Sequence, residues 1–198
     1  MIGGEHFRFN KQDHSYWLGA NRLFSVTEVI QLSGLKDLTR IDPGVLEHAS
    51  QRGTAVHASC HFYDQNDLDW ETVSDEIKPY VLAWEAFTKD LPLEWADMEK
   101  PIYHATFGFA GTPDRVTETP YRGIFDIKTY RPDAATGVQL AGYSFLRFGQ
   151  QSVYNTPKRF GVWLKDDGKY SLTEYTDRGD EAVFMACLTI CKFKRSQR

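Results

Sequence analysis

A chain of 198 residues with 41% hydrophobic and 25% charged residues has the make-up of a soluble globular protein, which excludes a disordered or membrane-embedded one. A net charge of −4 and a pI near 5.9 argue against a partner gripped by bulk positive charge. Three cysteines (Cys60, Cys187 and Cys191) cannot all pair and none sits in a C-x-x-C, so a disulfide scaffold is excluded and a reducing interior is expected.

Short strands open the chain at 6–9, 15–18 and 22–26, separated by polar turns. Ser25-Val-Thr-Glu28 is a capping-box pattern, so a helix is expected to run to about Ser33. Asp42-Pro43 starts a second helix that continues through QRGTAVHASCHF to Tyr63. A third covers 72–89, with Ile77, Tyr80, Val81, Trp84 and Phe87 at helical steps and Pro79 marking a kink or the true start. Residues 97–104, 106–118 and 122–129 alternate as three consecutive strands. A helix is expected over 136–151, then a hairpin of 159–165 and 169–175 around Asp166-Asp167-Gly168. Asp177 or Asp180 caps a last helix whose core stripe is Val183, Ala186, Cys187 and Ile190, ending in the basic KFKRSQR. The layout is α/β (α+β): a mixed central sheet flanked by helices, with an N-terminal β-hairpin and helical extension, in one domain spanning 1–198.

Charge is unevenly spread. Residues 1–120 carry 10 Lys/Arg against 19 Asp/Glu, and residues 121–198 carry 13 against 8, which hints at a polyanionic partner for the second half. No apolar run approaches a membrane span, and the opening MIGGEHFRFNKQDH is too polar for a secretory signal, so a cytoplasmic setting is expected.

The most informative stretch is GFAGTPDRVTETPYRGIFDIKTY. On a strand, Asp126 and Lys128 share one face and Ile127 takes the other. A hairpin centred on Pro120 sets Asp114 opposite Asp126, and the preceding turn at Thr106-Phe107 sets Glu99 opposite Asp114. Like charges opposed on a sheet repel, and a divalent ion bound by hard carboxylate oxygens, Mg²⁺ or Mn²⁺, would offset them. The plainer alternative is a solvated sheet end, and a one-residue slip would turn any of these side chains away. His57 lies one turn after Gly53 on the second helix. His61 and Cys60 suggest zinc at first sight, but no fourth ligand is evident and the cysteines read as small core residues.

GTPDRV followed by FDIKT resembles the PD-(D/E)XK nuclease core. Upstream RGTAVH and downstream Gln139-x-x-x-Tyr143 resemble the RecB-type branch, and HSYWLGANRLFSVTEVI is similar to the entry segment of mitochondrial genome-maintenance exonucleases and their phage relatives. The resemblance spans about residues 14–143 and implies a nuclease domain, with 1–40 as N-terminal strands and helix and 42–198 as nuclease core. It implies that Asp114 and Asp126 bind metal with the Ile127 carbonyl, that His57 serves a second ion, and that Glu99 acts directly or through water. Lys128 would position the attacking water. Gln139 and Tyr143 would orient Lys128 or touch DNA, and Asp133 or Thr136 would cap their helix. Tyr130, Arg131 and Phe148 would meet sugar or base, and Lys158, Arg159, Lys192, Lys194 and Arg195 would meet phosphates. No iron–sulfur cluster is expected, since three cysteines fall short of the four it needs.

The activity so implied is metal-dependent DNA exonuclease action on single-stranded or end-containing DNA, in phage or bacterial recombination or repair. The alternatives are an inactive nuclease-fold DNA-binding accessory protein and a lambda-type double-strand exonuclease.

Overall fold

The computed structural model describes residues 6–36, 39 and 41–197; Arg198 of the basic tail lies outside them. A meander of β1 (Phe7–Asn10), β2 (Ser15–Leu18) and β3 (Asn21–Ser25) leads into α1 (Val26–Ser33). There the Ser25 side chain accepts from the Glu28 backbone N–H, and the Glu28 carboxylate accepts from that of Ser25, so the capping box is closed. α2 (Pro43–Asp64) begins where expected, its Asp42 carboxylate accepting from the backbone of Gly44 and Val45. α3 (Lys78–Asp90) begins at Lys78 with Pro79 in its first turn, where proline fits because the N–H groups there lack helical partners. Tyr80, Val81, Trp84 and Phe87 are its buried face.

The three expected central strands are each shorter than the pattern predicts. The first is divided into β4 (Asp97–Met98) and β5 (Ile102–His104), and the second into β6 (Phe109–Gly111) and β7 (Arg115–Thr117); β8 (Gly123–Lys128) is continuous. Pro101 lies in the first break and Pro113 in the second, each without an N–H for the ladder. The halves on either side of the breaks join different sheets. One five-stranded sheet runs β1-β2-β3-β6-β5, with β3 and β6 parallel.

The other sheet is completed by α4 (Ala134–Phe148), which crosses over from β8 to the parallel β9 (Lys158–Leu164), and by β10 (Tyr170–Glu174), giving the order β10-β9-β8-β7-β4. Asp133 caps α4, its Oδ1 accepting from the Thr136 N–H at 2.8 Å. α5 (Gly179–Ser196) closes the chain. Its stripe differs from the expectation: Phe184, Cys187, Leu188 and Cys191 are buried, while Val183 and Ile190 are exposed. Phe184 sets the rotation by lying on Gly142 of α4, where an added Cβ would sit 2.6 Å from the ring.

The fold is therefore mixed α/β, with two mixed sheets and flanking helices. One apolar core takes Phe24 and Phe109 from the first sheet, Val116 and Ile124 from the second, and residues of α1, α4 and α5. Another fills the opposite face of the second sheet with Val56 and Cys60 of α2, Trp84 and Phe87 of α3, and Phe125 and Ile127 of β8. Among the described residues no helix is long and apolar enough to cross a membrane.

Candidate active site

The antiparallel register of β7 on β8 pairs Arg115 with Phe125, Val116 with Ile124 and Thr117 with Gly123. That is the register of a hairpin centred on Pro120, and carried one step beyond β7 it sets Asp114 across from Asp126. β4 pairs Met98 with Arg115, and the Glu99 N–H donates to the Asp114 carbonyl at 3.1 Å. All three acids thus meet at one end of the second sheet.

Asp114 is fully engaged. Its Oδ2 accepts from the Ile127 backbone N–H at 2.7 Å, and its Oδ1 lies 3.2 Å from His57 Nδ1. Burial alone would raise its pKa, but the facing His57, then Lys128 and the Ile127 N–H, pull it well below the usual carboxylate range. For His57, burial works against the charged form, yet the Asp114 carboxylate outweighs it and raises the imidazole pKa.

Asp126, with a side chain only 3% exposed, meets Lys128 Nζ at 2.5 Å. Oδ2 is a buried oxygen whose contact is this ion pair with the ammonium. Desolvation pushes the Asp126 pKa up despite Lys128, and the Asp114 charge adds to the rise. The lysine pKa moves up as well: burial lowers it, but Asp126, Tyr130 and Asp114 more than compensate. Two carboxylates and one ammonium are thereby held out of water together.

Tyr143 closes the site from α4. Its hydroxyl lies 3.4 Å from Thr27 Oγ1 and accepts from Gln139 Nε2 at 3.3 Å. Burial, and then the Asp126 charge, raise its pKa and keep the proton on. The ring fits because position 111 is glycine; a Cβ there would be 2.7 Å from Tyr143 Cε1. Glu99 stands further out, at φ +46, with its carboxylate 3.9 Å from both Arg115 Nη1 and His61 Nδ1.

Beneath the acids lies a group that sequence reasoning passed over. Arg115 is fully buried; its Nε donates to Asp64 Oδ2 at 2.6 Å and its Nη1 to the Asp114 carbonyl at 2.7 Å. Asp64 also accepts from Trp84 Nε1 at 2.9 Å. Arg115 thus ties the end of α2 and the face of α3 to the residue that carries Asp114. Its only signal in the sequence is an arginine amid strand residues, which ordinarily reads as exposed.

Other expected contacts lie elsewhere. Arg159 is buried, donating to the Gly137 and Asp177 carbonyls and to Asp180, so its guanidinium is spent tying α4 to the start of α5. Lys158 pairs with Gly123 while Asp126 pairs with Gly161 and Lys128 with Trp163, which puts Lys158 about 10 Å along the sheet from Asp126 and about 16 Å from Lys128. Tyr130 is near the site: its ring holds Lys36 Nζ at 3.9 Å and Lys128 Nζ at 5.8 Å from its centroid. Arg131 is exposed on the same loop, and Phe148 packs partly buried against the first core. Among the described residues no three His, Cys, Asp or Glu side chains form a ready-made metal cage. His57 and Lys128 now sit against the two inner acids.

No family model matches the chain, and no curated protein matches it. It is similar to the crystal structure of SSO0001, at 14% identity and a TM-score of 0.44, over 83% of this chain and 71% of that one. It is also similar to an alkaline exonuclease (LHK-Exo) from Laribacter hongkongensis, at 16% identity and a TM-score of 0.43, over 88% of this chain and 93% of that one.

Proposed function

We propose that the protein is a metal-dependent nuclease that hydrolyses phosphodiester bonds in DNA, working as an exonuclease on single-stranded or end-containing molecules. The reading rests on one observation: Asp114, Asp126 and Lys128 share a buried sheet end, where two carboxylates stand together against a single ammonium. Two desolvated carboxylates and a backbone carbonyl are the hard oxygen donors that Mg²⁺ or Mn²⁺ prefers, so the residues present fit such an ion. Asp114, Asp126 and the Ile127 carbonyl would hold it, with His57 and Glu99 available to a second. Such ions lower the pKa of bound water and stabilise charge on the phosphate.

The chain's own groups have definable parts. Lys128 supplies a compact positive charge beside the phosphate and orients the water. Tyr143, its proton retained, and Gln139 hold one wall of the site and offer donors to the strand. The ordered series His57, Glu99, Asp114, Asp126-x-Lys128, Gln139, Tyr143 resembles the RecB-type branch of the PD-(D/E)XK nucleases, which favours end processing in recombination or repair. One observation favours a second reading, a nuclease-fold DNA-binding accessory protein: the Lys128 ammonium already neutralises Asp126.

End-labelled linear and covalently closed circular DNA, single- and double-stranded, incubated with Mg²⁺, Mn²⁺ or EDTA, separates these readings. The expected result is metal-dependent loss of linear single strands, with closed circles intact and activity abolished in Asp126→Asn. Absence of cleavage with either metal, alongside unchanged DNA binding by Asp114→Ala, would select the accessory protein.

A further inference from the structure

Between the β2–β3 hairpin and the last turns of α5 lies a cavity of about 430 Å³, with Arg22, Lys192 and Arg195 on its rim and Leu23 and Phe24 on its floor. The three cations are held differently. Arg195 lies over the Phe24 ring, 3.2 Å from the centroid, and its Nη1 donates to the Arg22 carbonyl at 2.9 Å. Arg22 pairs with Glu28 at 3.1 Å, and Arg195 Nη2 is 3.8 Å from the same carboxylate oxygen. One carboxylate therefore serves two guanidiniums, and a positive charge is left over.

Lys192 has no carboxylate within ion-pair range among the described residues, and partial burial pushes its pKa down with nothing opposing the fall. Its ammonium lies over the Ala105–Gly108 turn, 3.5 Å from where a Cβ on Gly108 would be; Gly108 has φ +55. Basic residues in the last turn of a helix ordinarily offset its dipole. That accounts for Lys194, whose Nζ reaches the Leu32 carbonyl at the end of α1 at 3.4 Å. It does not account for an ammonium placed over a turn of the first sheet.

An excess of cations around one cavity suits a ligand with negative charge. Three cations side by side, Arg22, Lys192 and Arg195, match the repeated phosphates of a nucleic-acid strand, whereas a single inorganic phosphate would engage only part of them. The groove and the acids are both bounded by α1: Thr27 meets Tyr143 beside Asp126, and Glu28 meets Arg22 and Arg195.

We propose that this groove is a second binding site for the phosphodiester backbone of a single DNA strand, with Lys192 and Arg195 meeting phosphates. The identity of the anion rests on the nuclease reading above.

The test is fluorescence anisotropy of a labelled oligothymidylate with the full chain in EDTA, where no hydrolysis intervenes, across a range of salt. Lys192→Glu is expected to weaken binding about tenfold at low salt, and Lys192→Ala to reduce the slope of log K against log salt by roughly 0.7, one single-strand phosphate contact. Lys169→Glu, an exposed lysine on the β9–β10 turn, serves as the charge control and is expected to change binding less than twofold. Unchanged melting temperatures exclude misfolding of the variants. If the wild type does not bind, or Lys192→Glu binds like it, the groove proposal is overturned. Its failure is distinguishable from that of the nuclease reading: cleavage with intact Lys192→Glu binding removes only the groove, and weakened binding without cleavage in any metal removes only the nuclease.

Discussion

Asp126 and Lys128 stand two residues apart on one strand, with side chains 3% and 11% exposed, and a second carboxylate, Asp114, lies across from them. Removing one member of such a pair leaves an uncompensated buried charge, typically costing about 3–5 kcal/mol, whereas neutralising both is often harmless. Lys128→Met in EDTA is therefore expected to lower the unfolding free energy by about 3 kcal/mol, and adding Asp126→Asn to restore most of it. Urea denaturation of the four members of the cycle measures this; additive losses would show that the charges are not coupled. At this scale Asp126 and Lys128 were legible in the sequence because the strand period alone puts them on one face. Arg115 was not, because its burial depends on Asp64, 51 residues away, and on Trp84 of another helix. Arg159 was misjudged for a related reason: its partners, at Gly137, Asp177 and Asp180, come together only when α4 and α5 pack.

Among the elements, β4 is only two residues long and is held in place by side chains as well as by the ladder. Asp97 accepts from Lys100 Nζ at 2.9 Å and from Arg147 Nε of α4 at 2.8 Å. Burial raises the Asp97 pKa, but these two donors outweigh it, so the net shift is downward. A depressed carboxylate pKa contributes stability above its unfolded value and loses it as pH falls through the folded one. Asp97→Asn is thus expected to cost about 1 kcal/mol near neutral pH, a figure held down by the exposed Lys100, and progressively less below about pH 4. Unfolding midpoints of both proteins along an acid series test this, and a difference that stays constant with pH would refute it. The register of β4 and β7 could be derived because turn centres fix it. The breaks at Pro101 and Pro113 could have been foreseen from the missing N–H groups, but not that the halves would enter separate sheets. That depends on β3 pairing with β6, far apart in the chain at Phe24 and Phe109. The rotation of α5 was likewise hidden, since Gly142 admits Phe184 only once α4 is in place.

For the whole molecule, the question is whether two sheets that share no strand fold as one unit. The core beneath α1, α4 and α5 draws Phe24 and Phe109 from one sheet and Val116 and Ile124 from the other, so neither sheet can bury its inner face alone. The acids depend on the same union: Asp114 follows the crossing from β6 of the first sheet to β7 of the second, and Tyr143 reaches the acids across Gly111 of β6. A single domain is accordingly expected to show one cooperative transition in urea. Tryptophan reports mainly on the second sheet and its helices, since Trp84, Trp95 and Trp163 lie there, while far-UV circular dichroism reports on the whole backbone. Coincident midpoints are the expected outcome, with one slope for both probes. A dichroism change preceding the tryptophan change would mean that β1–β3 unfold separately. In that case the DNA cleavage proposed above would be lost at intermediate urea with the earlier transition, because Thr27 and the β6–β7 crossing would leave the site first.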